Sequence, residues 1–526
     1  MAHPRSRAVL ARRQYIASLG AGNGTGNGTG AAQPIVGANY TPADLAKLQT
    51  NLVGSVVAPG TPNYDSGRLL SDTAYNPWPI LIVYCQVFDD VWQALAFAHQ
   101  FNLHALCRSG GHSTAGFSSQ DGTMVIDLSR INYVAVDYAK RTARVGAGTQ
   151  LGQLNAMLDG YKLHTPGGSC PDVGIAGHMM GGGYGYTSRE YGMNCDAVLE
   201  VLVMLADGRI VRANADVNPD LYWAIRGGTG NNFGVLLEIT YRLYDLWEVW
   251  GWGFSYPIAN APEALVAIQR DYMMDAAPAT LGYQVSFITN AGEKRLVLRG
   301  TFHGSEADGK KLIAPLLKLP GATNEVDTMG TYYTLNEGLV DNPYAFPNIP
   351  TNASEDKISG YCARLLDKAD WASVCHAASQ DKIGYAFANL EVMGCAIKSI
   401  PMNSSAYIHR DSYFDWAQDT FWTTEAEKAD AYRFMDGMIK AWTPLLNGHA
   451  NQDYPRRSQT NYRWLFFAHA FNTLLFVKQK YDPQNFFHYQ QSISAYPSGE
   501  EPRDHSKSLF ADPSIVVEPY SRTISG

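Results

Sequence analysis

The N-terminal part of the chain switches between helical and strand-like spacing of its apolar residues. Residues 41–54 are typical of a capped helix, with Thr41 as N-cap and Asp44 as the acidic partner three residues later. Two apolar runs that flank an amphipathic stretch then predict a βαβ unit. Its strand, helix and second strand are predicted at residues 78–86, 89–102 and 103–109.

The next part of the chain, up to residue 244, predicts a mixed α+β domain. Residues 198–214 contain two apolar runs on either side of Asp207-Gly208, which is typical of a β-hairpin. Further strands are predicted at residues 123–129, 133–138, 142–148 and 233–244, and helices at 150–161 and 220–228.

The pattern changes near residue 246. Strand-like runs separated by helices predict an antiparallel sheet covered by helices, in a separate domain on the substrate side. The strand-like runs are residues 247–258, 281–289, 293–302 and 384–394, and one helix is predicted at 309–319. A last helix begins at Phe471 and is expected to end before Asp482-Pro483.

The composition excludes several kinds of protein and of binding partner. The 526 residues are 46% hydrophobic, enough for sizeable cores. With 41 Lys+Arg against 49 Asp+Glu and a net charge of −8, the chain is not expected to bind nucleic acid; the expected partners are small molecules. We find no apolar stretch long enough to span a membrane, and the seven cysteines lack metal-site spacing, so neither a membrane span nor a metal site is predicted.

The first residues of the chain were inspected for a signal that would direct the protein to a cellular compartment. They contain an arginine pair but no convincing apolar region or cleavage site. We therefore expect a cytoplasmic protein, with export through a twin-arginine-like start as the alternative.

Two glycine-dense loops, residues 107–116 and 166–185, are candidates for chemistry. Clustered glycines let backbone N–H groups approach a phosphate closely, although single loops of this kind are more often tight turns. Neither loop has the GxGxxG or GxxxxGK[ST] pattern, which argues against the dinucleotide-binding and P-loop motifs. Two such loops in one domain favour a nucleotide ligand. The first contains His112 and the second Cys170.

Three motifs then occur in a fixed order: RSGGHS (108–113), GGSCPDVGIAGHMMGGGYG (167–185) and KYDPQNFFHYQQSI (480–493). Together they resemble the berberine bridge enzyme-like branch of the vanillyl-alcohol oxidase, or PCMH-type FAD-binding, superfamily. The resemblance covers residues 36–495. It implies an α+β fold in which a two-part FAD-binding domain carries an inserted substrate domain of antiparallel sheet and helices.

The resemblance also divides the chain. We expect a flexible arm at residues 1–35, the FAD-binding domain at 36–245, the substrate domain at 246–445, a segment returning to the FAD-binding domain at 446–500, and a tail at 501–526.

The family's cofactor is a bicovalently attached FAD. The matching positions are His112, which in the family bonds the flavin 8α-methyl carbon, and Cys170, which bonds C6. Both bonds need a nucleophile, and a neutral imidazole and a thiolate are suitable ones. The resemblance further assigns cofactor contacts to Arg108, Ser109, Gly110, Gly111, Ser113, Gly174, Gly177, His178, Gly181, Gly182, Gly183, Gly234, Val235 and Asn485.

The resemblance implies an FAD-dependent oxidoreductase acting on an alcohol carbon. The third residue after Cys170 is Val173, and a small valine there resembles the oxidases, in which dioxygen reaches the flavin and hydrogen peroxide is released. The substrate is expected to be a carbohydrate oxidised at its anomeric hydroxyl to a lactone, or a hydroxylated natural product. A dehydrogenase with another acceptor, and a flavin-holding binding protein, are the alternatives.

Tyr454 matches the family's base tyrosine, although Asn451, Asp453 and Arg456 depart from the usual residues around it. Glu391 matches an acid that polarises that tyrosine, or is a solvated carboxylate at a strand end. Because a phenol is a weak base at neutral pH, positive charge or hydrogen bonds are expected to stabilise the phenolate of Tyr454. The candidates for this supporting role are Arg456 and Arg463, with Tyr184 as a second phenol. Several aromatics of the second domain are expected either to stack on sugars or to pack in its core: Trp247, Trp250, Trp252, Tyr283 and Tyr385.

Overall fold

The structure is a computed structural model that describes residues 39–290, 292–340, 349–350, 352–494, 514–519 and 522–524. The arm predicted at residues 1–35 and most of the predicted tail lie outside these ranges.

The first helix, Pro42–Asn51, is capped as predicted. The backbone N–H of Thr41 donates to Asp44 Oδ2 at 2.8 Å, and the N–H of Asp44 donates to Thr41 Oγ1 at 3.3 Å. Two backbone donors at the helix start are thereby satisfied, which is the function of a capping box.

The βαβ unit forms one edge of a four-stranded sheet. Its strands are β1 (Ser55–Val57), β2 (Leu81–Tyr84), β3 (Ala105–Arg108) and β4 (Met124–Asp127), in the spatial order β1-β2-β4-β3. Helix Phe88–Gln100 connects β2 to β3, and both strands pair in parallel with β4 between them. The predicted unit is confirmed, but β4 separates its two strands.

A second sheet is antiparallel and has the order β5-β6-β10-β8-β9. The predicted hairpin joins β8 to β9, and Gly208 in its turn has a φ of 81°, which glycine adopts without strain. A small sheet pairs β7 with β11. These strands are β5 (Val134–Asp137), β6 (Thr142–Gly146), β7 (Leu163–His164), β8 (Val198–Met204), β9 (Ile210–Asn214), β10 (Val235–Arg242) and β11 (Tyr244–Asp245).

The third sheet has seven antiparallel strands in the order β15-β12-β14-β13-β17-β18-β16. The strands are β12 (Glu248–Pro257), β13 (Leu281–Asn290), β14 (Glu293–Phe302), β15 (Thr323–Thr331), β16 (Ser354–Cys362), β17 (Phe387–Val392) and β18 (Phe414–Trp422). The sequence predicted β12, β13, β14 and β17. It missed β18 because this fully buried strand contains Asp415 and Asp419 and so lacks a continuous apolar run.

Helices cover these sheets. Helix Phe471–Tyr481 ends immediately before Asp482, as predicted. The other α-helices of the described residues are Tyr64–Gly67, Leu151–Asp159, Ile175–Gly181, Ser188–Tyr191, Pro219–Ile225, Ala261–Tyr272, Glu306–Leu317, Tyr332–Val340, Lys368–Ala378, Ala396–Ser399 and Glu425–Trp442.

Two large hydrophobic cores hold the fold together. One includes Leu81 and Val203 of the first two sheets together with Leu474 and Phe487 near the C-terminus, so the C-terminal segment packs back onto the N-terminal half. The other lies around the seven-stranded sheet. Apolar burial of this extent is the main stabilising contribution to folding. The domain boundaries given above remain predictions.

The second core resolves the alternatives for several aromatics. Trp250, Trp252 and Tyr283 are each 1% exposed and belong to this core, and Tyr385 packs against a small neighbouring cluster. Trp247 lies under the ammonium of Lys162, whose Nζ is 3.9 Å from the ring centroid. These rings therefore have packing partners within the protein.

In the part of the chain that the structure describes, no helix has the length and apolarity needed to cross a membrane.

Candidate active site

A cavity of about 310 Å³ lies where the two glycine-dense loops meet the seven-stranded sheet. Both His112 and Cys170 line it, and so do Glu391 and Tyr454 from the second half of the chain. The cavity thus joins residues that are more than 300 positions apart in the sequence. Its size is within the range of small-molecule and cofactor sites.

The two loops touch through backbone atoms. A Cβ added to Gly110 would lie 2.4 Å from the backbone N of Gly174, and one added to Gly174 would lie 2.2 Å from Ser109 Oγ. Ser109 in turn donates to the carbonyl of Ala147 at 2.7 Å. Glycine is required at both positions because a side chain would push the loops apart.

Changing Gly110 to alanine is therefore expected to lower the free energy of unfolding by about 1–3 kcal/mol through overpacking. We expect Gly437→Ala, in an exposed helical position with nothing within 4 Å of the added Cβ, to raise it by up to about 1 kcal/mol. Denaturant unfolding of the two variants measures both effects. Equal stability of Gly110→Ala and the unmodified protein would contradict the backbone contact between the loops.

The loop that contains Cys170 is held from two sides. The backbone N–H of Gly168 donates to His178 Nε2 at 3.1 Å, and Asn336 Nδ2 donates to the Gly168 carbonyl at 3.3 Å. Burial lowers the pKa of His178 to about 4, so its imidazole is neutral at pH 7 and can accept this bond. Within the loop, the N–H of Val173 donates to the Cys170 carbonyl at 3.3 Å. The thiol is thereby presented from a fixed backbone.

The side chain of His112 pairs with that of Asp172, which belongs to the other glycine-dense loop. Its Nε2 lies 3.1 Å from Asp172 Oδ2, and both side chains are mostly buried. The imidazole is consequently oriented by a residue of the other glycine-dense loop.

Half-buried Tyr454 and buried Glu391 form a hydrogen-bonded pair that also lines the cavity. The Tyr454 hydroxyl donates to Glu391 Oε1 at 2.7 Å. Burial, together with the negative charge of Glu391, raises the pKa of Tyr454 well above its usual value of 10. Burial also raises the pKa of Glu391 to about 7, against the opposing effects of the Tyr454 hydrogen bond and the Lys357 charge. The phenol therefore keeps its proton in the resting site, with a carboxyl group positioned to accept it.

The cation beside this pair is Lys357, which the sequence analysis missed. Its Nζ lies 3.9 Å from the centroid of the Tyr454 ring and 3.1 Å from Asp419 Oδ2. The predicted cations have other partners: Arg456 forms an ion pair with Asp356 at 2.6 Å, and Arg463 donates to the Ser494 carbonyl at 3.0 Å. No local motif marks Lys357; strand pairing alone brings β16 next to the site.

The unusual residues around Tyr454 take part in the chain's own hydrogen bonds. Asn451 Nδ2 donates to Asp415 Oδ2 at 2.8 Å, and the N–H of Gly183 donates to Asp453 Oδ2 at 3.1 Å. Burial raises the pKa values of Asp415 and Asp453 well above their usual range. The departures at these two positions thus anchor the segment just before Tyr454.

Most of the predicted site residues line the cavity. Those that do are Ser109, Gly110, Gly111, His112, Ser113, Cys170, Val173, Gly174, Gly177, His178, Gly181, Gly234, Glu391 and Tyr454. Tyr184 lines it too, and its hydroxyl donates to the backbone carbonyls of Tyr283 and Val392.

Five predicted residues are placed outside the lining. Arg108 forms a buried ion pair with Asp127, Nε to Oδ2 at 2.6 Å. Gly182 and Gly183 follow helix Ile175–Gly181, and Asn485 lies in the turn after the last helix. The fifth, Val235, belongs to the first core. Their roles in cofactor binding remain predictions.

The lining suits the flavin cofactor that the motifs imply. A Cβ added to Gly177 would meet nothing within 4 Å, so a ligand can approach the backbone there. Apolar side chains such as Leu128, Leu151 and Met180 offer surface for a planar ring system. An imidazole and a thiol enter from separate loops, as two covalent attachments require. Among the described residues, we find no group of three His, Cys, Asp or Glu side chains arranged to hold a metal ion.

Two known protein families and several solved structures are similar to parts or most of this chain. The FAD binding domain family matches residues 79–214, and the berberine and berberine-like family matches residues 434–494. The structure of wild-type BBE-like 1 from Physcomitrella patens is similar with a TM-score of 0.76 at 26% identity, over 86% of this chain and 99% of that chain.

Two characterised oxidases are similar in sequence. The carbohydrate oxidase of Microdochium nivale is 26% identical over 467 residues, which cover 83% of this chain and 92% of that protein. The chitooligosaccharide oxidase of Gibberella zeae is 28% identical over 457 residues, covering 80% and 89% of the two chains. With an FAD binding domain, a berberine and berberine-like domain and an α+β PCMH-type fold, the chain is an FAD-dependent oxidoreductase that is similar to the berberine bridge enzyme-like proteins.

Proposed function

We propose that this protein is an oxidase that oxidises an alcohol carbon of a carbohydrate, with the anomeric hydroxyl converted to a lactone and dioxygen as the acceptor. The observation that carries the proposal is the Tyr454–Glu391 hydrogen bond of 2.7 Å in the same cavity as His112 and Cys170. A proton-accepting pair opposite a flavin-binding wall is the arrangement that alcohol oxidation needs.

His112 and Cys170 are proposed to hold FAD covalently, through the 8α-methyl carbon and C6. When bound, FAD supplies an acceptor for the hydride of the carbinol carbon and passes two electrons to dioxygen, which becomes hydrogen peroxide. Attachment at two points keeps the ring in one position while the substrate side stays open.

The proton of the substrate hydroxyl is proposed to move to Tyr454. Since the pKa of Tyr454 is raised, its phenol can accept a proton only as it gives its own to another group. Glu391 Oε1 already accepts that hydrogen bond, and a pKa of about 7 lets the carboxylate take the proton near neutral pH. Tyr454 thus relays the proton, and Glu391 receives it.

Lys357 is proposed to stabilise the relay. Its ammonium lies over the Tyr454 ring at 3.9 Å, where it favours negative charge developing on the phenol. The ion pair with Asp419 keeps the ammonium in place. Both side chains are buried, so water screens this charge only weakly.

Polar residues of the seven-stranded sheet support a polyhydroxylated substrate. Gln284 on β13 and Asn389 on β17 line the cavity beside Glu391. Amide side chains can donate to and accept from hydroxyl groups, which is how protein sites recognise sugars. The names of the similar oxidases support the same substrate class.

Dioxygen is proposed to reach the flavin past Val173. This residue lines the cavity, and its carbonyl accepts the N–H of Leu151 at 3.0 Å, which fixes its place. A valine side chain is small, and the cavity that it lines is the proposed path of dioxygen.

Anaerobic flavin reduction tests the proposed function. We expect mono- or oligosaccharides with a free anomeric hydroxyl to bleach the flavin absorbance, and air to restore it with one equivalent of hydrogen peroxide. The matched control is the methyl glycoside of each active sugar, which lacks the reacting hydroxyl and should leave the flavin oxidised. Bleaching only by hydroxylated polyketides would reject the carbohydrate assignment, and slow reoxidation in air would favour a dehydrogenase.

A further inference from the structure

The contact between His112 and Asp172 has no part in substrate oxidation as described above. Asp172 lies two residues after Cys170, in the loop opposite that of His112. Its Oδ2 is 3.1 Å from His112 Nε2, so this ring nitrogen is engaged and Nδ1 is the other nitrogen of the ring.

Asp172 is held in place by its own loop. Gln150 Nε2 donates to the Asp172 carbonyl at 3.0 Å. The residues on either side are fixed as well, since the N–H of Gly152 donates to the Pro171 carbonyl at 2.8 Å and the N–H of Leu151 to that of Val173. The carboxylate is therefore presented to the imidazole from a rigid turn rather than from a mobile side chain on the surface.

The partial burial of His112 and Asp172 strengthens the electrostatic effect of the carboxylate on the imidazole. The side chain of His112 is 15% exposed and that of Asp172 is 21% exposed. A carboxylate that accepts from one ring nitrogen fixes the tautomer of a neutral imidazole and raises the basicity of the other nitrogen. With Nε2–H directed at Asp172, the unprotonated nitrogen is Nδ1.

We propose that Asp172 is a positioning residue for covalent flavin attachment: it holds the Nε2 proton of His112, presents Nδ1 to the 8α-methyl carbon and receives the Nε2 proton as the bond forms. This inference rests on the proposed function, because it requires FAD in the cavity. It assigns a role in assembly of the enzyme rather than in turnover.

Forming the bond to His112 oxidises the methyl carbon by two electrons. A bond forms between His112 Nδ1 and the methyl carbon, and one C–H bond of the methyl group breaks. The methyl proton and the Nε2 proton are released, the latter to Asp172, and two electrons pass to the flavin. Dioxygen, which the proposed activity already requires, takes up these two electrons and two protons and becomes hydrogen peroxide.

The position of Asp172 also links the two attachments. Cys170 and Asp172 share one turn, whose Val173 N–H donates to the Cys170 carbonyl at 3.3 Å. The turn that presents the thiol to the ring therefore also orients the imidazole. A change at Asp172 should consequently affect the histidine bond even when the cysteine bond is absent.

A Cys170→Ala background isolates the histidine bond for the test. In this background Asp172→Asn, Asp172→Glu and the exposed control Asp216→Asn are purified and incubated with excess FAD in air. The measured quantities are the fraction of flavin that stays with the polypeptide after acid precipitation, the intact mass over time, and the affinity for non-covalent FAD. Thermal melting of each variant reports its folding.

We expect Asp172→Asn to slow attachment at least about 10-fold, the effect of losing a hydrogen bond to a charged group, without a change in non-covalent affinity. Asp172→Glu should restore part of the rate, and Asp216→Asn should match the background. Attachment at the background rate in folded, FAD-binding Asp172→Asn would overturn the inference. If the unmodified protein acquires no covalent flavin, the proposed tether and this inference both fail, whereas a failure confined to Asp172→Asn leaves the proposed function intact.

Discussion

Replacing Tyr454 by phenylalanine is expected to lower the rate of substrate-dependent flavin reduction about 10²–10⁴-fold, the usual contribution of a positioned acid–base group. The change removes the hydroxyl that donates to Glu391 Oε1 at 2.7 Å. The ring under Lys357 remains, so packing is preserved. Single-turnover, anaerobic stopped-flow measurements separate this loss from any effect on reoxidation.

The matched control is Tyr256→Phe. Tyr256 is buried, and its hydroxyl donates to the Leu316 carbonyl at 2.7 Å in the second core, away from the cavity. This variant should lose stability but keep its rate of flavin reduction. Covalent flavin content should be unchanged in both variants, because the two hydroxyls donate to Glu391 and to the Leu316 carbonyl and not to the proposed attachment residues. Full activity of Tyr454→Phe would remove the phenol from the mechanism and leave the cofactor assignment standing.

Changing Glu391 to glutamine should alter the pH profile as well as the rate. The carboxylate form of Glu391 accepts the proton of Tyr454, and burial raises its pKa to about 7. Activity of the unmodified enzyme should therefore rise with pH through about 7, because below this value Glu391 is protonated and cannot act. Glu391→Gln should abolish this limb and lower kcat about 10–100-fold, the effect of losing a hydrogen bond to a charged group.

Glu325→Gln serves as the control for this experiment. Burial also raises the pKa of Glu325, but this residue accepts a hydrogen bond from Ser255 on the far edge of the sheet. The variant should keep the rising limb near pH 7. A pH profile that stays the same in Glu391→Gln would mean that another group titrates, and the relay from Tyr454 to Glu391 would have to be rejected.

The sequence predicted the helices and strands of the N-terminal half better than the strands of the second half. The N-terminal half repeats apolar residues at clear helix or strand spacing, and helix Pro42–Asn51 and the hairpin at Gly208 form as predicted. In the second half, β15, β16 and β18 were missed. Strand β15 is largely exposed and mostly polar, so it shows no apolar pattern. Strands β16 and β18 are mostly buried but contain charged residues, Lys357 and Asp419 among them, and these residues interrupt the apolar pattern.

The two proposed flavin-binding residues could be found from sequence because they belong to local motifs. His112 and Cys170 each lie in a glycine-dense loop whose composition is visible without any knowledge of tertiary contacts. Lys357, the cation beside Tyr454, could not be predicted from a local motif. Arg456 and Arg463 are near Tyr454 in sequence, yet Arg456 pairs with Asp356, and strand pairing brings Lys357 to the phenol from almost 100 residues away.

The sequence by itself determined most elements of the N-terminal half, the two glycine-dense loops and the presence of His112 and Cys170 within them, since backbone freedom and periodic burial depend on neighbouring residues. Only the tertiary structure decided that Glu391 faces Tyr454, that Lys357 covers the phenol ring and that Asp172 meets His112. Each of these contacts joins residues of different strands or loops. Their electrostatic effects depend on burial, which only the folded chain provides.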